Sequence, residues 1–172
     1  MAATVRVTLG LGSNQEPEAN LGSCLDMLLL QFHDLALSSV FRSRPKSGQG
    51  SDYLNMAVAF DTELALPALR AALREIERKH RRDRDTPGRV TLDIDLLTYG
   101  DKQGTIDGIE LPRPEILDAA YVLWPLSQVA AHQRHPRLQR SYADLWRHFD
   151  HDSQLVRPVD FSWHGQVLSR SG

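Results

Sequence analysis

Val5, Val7, Leu9 and Leu11 alternate with Arg6, Thr8 and Gly10, the period-2 signature of a half-buried strand. Gly12-Ser13-Asn14 breaks this pattern, and a helical period replaces it. Leu21, Leu25, Leu28, Leu29 and Phe32 form one apolar stripe and predict a helix over 17–32. Residues 35–42 predict a second strand and 53–61 a third, parted by a loop punctuated with Pro45, Gly48 and Gly50. On the third strand Leu54, Met56, Val58 and Phe60 share one face, while Tyr53, Asn55, Ala57 and Ala59 share the other. A second helix begins near Pro67, a residue suited to a first turn. Its core stripe is Leu66, Leu69, Leu73 and Ile76, and its charged face carries Arg70, Arg74, Glu77, Arg78 and Arg81. After Pro87 and Gly88, residues 90–99 predict a fourth strand closed by Gly100. Then follow a short strand at 109–111, a helical turn after Pro114, an apolar run over 121–129 and a helix over 142–149. The tail from His151 either adds a strand or wraps the surface.

The order β-α-β-β-α-β predicts an α+β protein with a ferredoxin-like core: an antiparallel sheet with two helices on one face, extended by a C-terminal α/β segment. A chain of 172 residues fits one domain, with the core at 4–149 and a tail at 150–172. A net charge of −2 argues against bulk attraction to nucleic acid or anionic membrane. The single cysteine, Cys24, excludes an internal disulfide and suits a reducing compartment; its place on the first helix's apolar stripe predicts burial. No apolar run approaches the roughly 20 residues of a membrane span, and the N-terminus runs directly into a strand pattern with no signal peptide. The expectation is a cytoplasmic monomer with no membrane or nucleic-acid partner.

Three groups of residues could carry chemistry. Asp93 and Asp95 share one strand face, where two hard oxygen ligands can hold Mg²⁺; an exposed edge with ordinary aspartates is the plainer reading. The run Arg78-Lys79-His80-Arg81-Arg82-Asp83-Arg84, with Arg89 beyond it, suits a triphosphate, a nucleic-acid backbone or, in part, the dipole at a helix C-terminus. Tyr53 and Asn55 offer a stacking ring and an amide to a planar heterocycle, or else a tyrosine covered by the preceding loop. Gly10-Leu11-Gly12-Ser13-Asn14 lacks the third glycine of a dinucleotide fingerprint and the lysine of a Walker motif, and reads as a tight turn into the first helix. The pairs His132/His135 and His148/His151 are weak zinc candidates without cysteine or an acidic signature nearby.

With these residues in view, the chain resembles the 6-hydroxymethyl-7,8-dihydropterin pyrophosphokinase family from about Val5 to Leu145. The matching pieces are Leu11-Gly12-Ser13-Asn14, Phe41-Arg42-Ser43, Asp52-Tyr53-Leu54-Asn55, Glu77 followed by Arg82 and Arg84, Thr91-Leu92-Asp93-Ile94-Asp95, and Leu123-Trp124-Pro125-Leu126. The resemblance implies transfer of the pyrophosphoryl group of ATP to the pterin hydroxymethyl oxygen, with release of AMP, in folate biosynthesis. It implies two Mg²⁺ ions on Asp93 and Asp95, a pterin site of Ser43, Tyr53, Asn55 and Tyr121, and an ATP site of Arg74, Glu77, Arg82, Arg84 and Arg113. Arg82 and Arg89 would be the catalytic cations, and segments 44–51 and 83–89 would close over the substrates. The chain departs from the family pattern at Arg89-Val90-Thr91, at Arg113 and Pro114, at Ala119, and at Arg44 and Lys46. These departures keep a second expectation, a paralogue that binds pterin or nucleotide with altered or lost turnover. An RNA-binding module ranks below both, because Tyr53 is the one aromatic on a strand face expected to be exposed.

Overall fold

The protein is described by a computed structural model covering residues 3–81 and 89–172. In chain order its elements are β1 (Val5–Ser13), α1 (Pro17–Phe32), β2 (Ala36–Leu37), β3 (Phe41–Ser43), β4 (Tyr53–Thr62), α2 (Leu66–Lys79), β5 (Asp93–Tyr99), β6 (Gly104–Ile106), β7 (Ile109–Leu111), α3 (Glu115–Asp118), α4 (Ala120–Val129), α5 (Tyr142–Arg147), β8 (Val156–Pro158), β9 (Phe161–Trp163) and β10 (Gln166–Ser169). Among the described residues the main sheet runs β5-β1-β4-β3-β8, with β2 also paired to β4, and every pairing is antiparallel. Taking β2 and β3 as one interrupted strand, this is the ferredoxin-like order.

Helix α1 has the bounds its stripe predicts, with Pro17 in the first turn. Leu21, Cys24, Leu25, Leu28 and Phe32 are buried, whereas Leu29 turns outward at 40% exposure. Burial pushes the Cys24 thiol far up, leaving it an apolar filler. The stripe of α2 is buried in full. Both helices cover one sheet face in a core that includes Val7, Leu9, Leu11, Met56, Val58, Phe60, Ile94 and Leu96. His80 ties them together, its Nδ1 2.7 Å from Ile76 O and its Nε2 2.9 Å from Ser23 Oγ.

The expected bare second face is covered as well. Leu97 packs there with Ile116, Val122, Leu123, Leu126 and Tyr142 from α3, α4 and α5. Ala57 and Ala59 are fully buried on this side, small enough for α4 to approach the strand. Thr8 and Thr98 share a 2.6 Å hydrogen bond between their hydroxyls on the same face.

Three strand expectations change. β1 continues through Gly12 and Ser13, because both pair with β4 residues, Gly12 with Asn55 and Ser13 with Leu54. The single strand expected over 35–42 is two pieces. Ala36 pairs with Ala59 and Leu37 with Val58, but Phe41 pairs with Asn55, a register shift of one residue. Ser38 fills the gap: its N–H donates to Ala57 O (3.0 Å) and its Oγ accepts from Ala57 N (2.8 Å), replacing the ladder bonds lost at a bulge. Finally, β5 starts at Asp93 instead of Val90. The preceding segment is held by side chains: Ser13 Oγ donates to Thr91 O (2.6 Å), and Val90 N–H donates to Asn14 Oδ1 (2.6 Å). The tail supplies β8 at the sheet edge, and Phe161 joins the core.

Candidate active site

The site is built across the C-terminal end of β1. On the face toward α4, the strand registers align Phe41, Asn55, Gly12 and Asp93 in one row and Ala57, Gly10 and Asp95 in the next. Two glycines two residues apart therefore leave the middle of the sheet without side chains. A trough opens between Tyr53 and Asn55 on one side and Asp93 and Asp95 on the other. The glycines are strand residues lining a cavity, not the turn expected of them. The signal was present in their spacing, since period 2 puts both on one strand face. A Cβ on Gly12 would meet Asn55 Oδ1 at 3.5 Å.

This first cavity, of about 310 Å³, is walled by Ser43, Tyr53, Asn55, Asp93, Asp95 and Tyr121 and bordered by Arg44 and Lys46. Asn55 Nδ2 donates to the buried Ser43 Oγ (2.7 Å), which fixes the amide's orientation. Burial, then Asp93 and Tyr121 nearby, raises the Tyr53 phenol. Lys46 Nζ lies 5.9 Å from the Tyr121 ring centroid, within cation–π range.

A second cavity, of about 190 Å³, lies along the outer edge of β5. Arg70, Arg74, Glu77, Ile109 and Arg113 line it, and again Asp93 and Asp95. The two aspartates thus form the partition between an aromatic, amide-bearing cavity and an arginine-rich one. Glu77 covers the strand edge, its Oε2 accepting Ile94 N–H at 2.8 Å; burial raises its carboxyl, and Asp93 adds to the rise. Arg70 is committed to Asp107 O. Arg113 contacts Asp95 Oδ1 at 3.3 Å and Glu115 Oε2 at 3.1 Å.

Burial and then Asp93 push Asp95 up to about 7, against the opposing pull of Arg113. Two carboxylates on one strand face, Asp95 half-buried and Asp93 exposed beside it, are stabilised by a cation. A pair of hard oxygens, with the remaining positions left to phosphate and water, fits Mg²⁺. Of the other expected site residues, Arg89 is exposed and is not among the described residues lining either cavity. Arg82, Arg84 and most of the 83–89 segment lie outside the described residues. Gly12 and Glu115 were not among the expected site residues, and Lys46 was expected only as a departure within the 44–51 segment. One histidine of each pair is engaged elsewhere: His135 Nδ1 accepts from the Arg137 and Leu138 amides, and His151 stacks on Trp146 at 4.1 Å.

A ferredoxin-like fold with a carboxylate pair between an aromatic and a basic cavity defines a class of small-molecule site, one that can hold a planar ring against a charged group. The chain belongs to the 7,8-dihydro-6-hydroxymethylpterin-pyrophosphokinase (HPPK) family, whose model matches residues 8–131. A 2-amino-4-hydroxy-6-hydroxymethyldihydropteridine pyrophosphokinase of Synechocystis is 33% identical over 152 residues, covering 83% of this chain and 75% of the relative. The enzyme of that name from Pseudomonas aeruginosa is 33% identical over 136 residues, covering 76% and 84%. Nothing among these relatives favours a paralogue with altered turnover. The fold is also that of wild-type Plasmodium falciparum HPPK-DHPS solved with pteroate, at a TM-score of 0.73 and 11% identity, over 97% of this chain and 48% of that one. The same protein with pterin and p-hydroxybenzoate gives a TM-score of 0.73 over 98% and 49%. This chain spans about half the length of those structures. Among the described residues no helix is long and apolar enough to cross a membrane.

Proposed function

We propose that the protein transfers a pyrophosphoryl group from ATP to 6-hydroxymethyl-7,8-dihydropterin in folate biosynthesis. The observation that carries this reading is the shared wall: Asp93 and Asp95 line both cavities. In this reading the pterin ring lies between Tyr53 and Tyr121, with Asn55, set by Ser43, bonding its edge. The ATP polyphosphate runs past Arg74 and Arg113 beside Glu77, and the two substrates meet at the aspartates. The pterin hydroxymethyl oxygen forms a bond to the β-phosphorus while the bond from that phosphorus to the α,β-bridging oxygen breaks. AMP departs, and the hydroxyl proton passes to solvent. Asp93 and Asp95 would hold two Mg²⁺ ions, which when bound would neutralise the polyphosphate charge. By family likeness Arg82, Arg84 and Arg89 add cations at the nucleotide. The protein works as one 1–172 unit, a cytoplasmic monomer.

The test is AMP formation from Mg²⁺ and ATP with and without the pterin. Pterin-dependent AMP, abolished by chelator, is expected. AMP release that ignores the pterin, or full turnover in Asp95→Ala, would overturn the reading. A loss of about three or more orders of magnitude is expected for that substitution, because it removes charge stabilisation at the transferred group.

A further inference from the structure

Arg113 stands where the second cavity meets the aspartates, and its main chain is fixed: its N–H donates to Leu97 O (2.9 Å) and its carbonyl accepts Ile116 N–H (3.1 Å). Its guanidinium is divided between two acids, with Nη2 3.3 Å from Asp95 Oδ1 and Nε 3.1 Å from Glu115 Oε2. Glu115 Oε2 is a buried atom with no hydrogen bond. The pairing is thus a charge contact without a locked hydrogen-bond geometry, and the guanidinium can be drawn from one acid toward the other. We infer that Arg113 is an internal counter-cation on Asp95 that a nucleotide's polyphosphate draws away, and that Glu115 is a positioning residue that competes with Asp95 for it. The divalent cation then enters together with the nucleotide, not ahead of it.

The inference rests on the reading of Asp93 and Asp95 as the metal-holding pair. A guanidinium 3.3 Å from a carboxylate oxygen neutralises the charge that attracts a dication and repels that dication at short range. A polyphosphate offers the same guanidinium a stronger, two-pronged partner than a single carboxylate oxygen. It would bind in the cavity that Arg113 already lines with Arg74. Glu115 meets Nε and Asp95 meets Nη2 along one edge of the guanidinium, so the two acids share it and the charge of Glu115 decides how tightly the Arg113–Asp95 pair is closed before nucleotide arrives.

Mn²⁺ binding without nucleotide, read by paramagnetic relaxation of water, tests this directly. Arg113→Met is expected to tighten Mn²⁺ about 3–10-fold while weakening a non-hydrolysable ATP analogue with Mg²⁺ about 10-fold. Arg113→Lys keeps the charge and should leave Mn²⁺ within about twofold of wild type. Glu115→Ala is expected to weaken Mn²⁺ about 2–5-fold, because Arg113 then turns fully onto Asp95. In the Arg113→Met background, Glu115→Ala should add nothing, since its effect runs through the arginine. Unchanged or weaker Mn²⁺ binding in Arg113→Met overturns the inference. So does a Glu115→Ala effect that persists without the arginine, since that is a plain field effect. If Asp95→Asn binds Mn²⁺ as wild type does, the metal-pair reading itself fails, an outcome distinct from either of these.

Discussion

Asp95 carries a conflict between folding and function. Its folded pKa, raised to about 7 by burial and Asp93, means that the folded protein holds a proton the unfolded chain has already released. Stability from this carboxyl is therefore full below the ordinary aspartate value of 3.8 and is lost progressively as the pH rises to about 7. Asp95→Asn should raise the thermal midpoint of the ligand-free protein at pH 8 by an amount on the order of 1 kcal/mol, a few degrees, and change little at about pH 4, close to the unfolded value. A melt at both pH values decides it; an equal shift at both would remove ionisation as the cause. Gly12 sets a second residue-scale condition. Its Cβ position meets only ordinary contacts, with Asn55 Oδ1 at 3.5 Å and Tyr53 Cδ1 at 4.0 Å. Gly12→Val should therefore fold, since a β-branched residue suits a strand. Its methyls would occupy the trough and weaken pterin binding about tenfold or more, measured by calorimetry. Unchanged pterin affinity would place the ring elsewhere.

At the level of elements, the bulge at Ser38 governs which side chains of the second strand face the site. Without the one-residue shift between the β2 and β3 pairings, Ser43 would fall out of line with Tyr53. Ser38→Ala leaves the buried Ala57 N–H without its 2.8 Å acceptor and should cost about 1–3 kcal/mol, while Ser38→Thr retains the hydroxyl. Equal melting of the two variants would show that the hydroxyl is dispensable. This element also marks where sequence reading stops. The helices were legible because proline starts and leucine stripes are local signals. The Asp93/Asp95 pair and the Tyr53/Asn55 pair were legible because strand alternation puts each on one face. A bulge is recorded in the partner strand's register and has no period of its own, so residues 35–42 read as one strand. The cover of the second face depended on α4, whose apolar run is nearly continuous and names no preferred side. Val90 to Leu92 read as strand through composition, yet it is Ser13 and Asn14, far away in the chain, that hold them.

For the whole molecule, the C-terminal tail is tied into the sheet at several points. β8 pairs with β3, Ser169 Oγ accepts Val40 N–H at 3.0 Å, and Gln154 reaches Ala120 N and Asp118 O beside Tyr121. Removing residues 155–172 withdraws the buried Phe161 and an edge strand. The midpoint should fall by about 10 °C or more, and pterin affinity should fall with it, because β3 carries Ser43. A truncated chain with native melting and native pterin affinity would make the tail an ornament.

The central position of β1 has a consequence for synthesis. Its partners are β4, which ends at Thr62, and β5, which ends at Tyr99, so β1 leaves the ribosome long before the second of its two edges can be paired. Until β4 follows, its valines and leucines have only α1 among the core elements for shelter, and until β5 follows, its other edge stays open. Sheets closed by such distant pairings form slowly and expose strand edges while they wait. Conditions that slow elongation between β1 and β5 should therefore reduce the yield of folded protein more than equal delays in the tail.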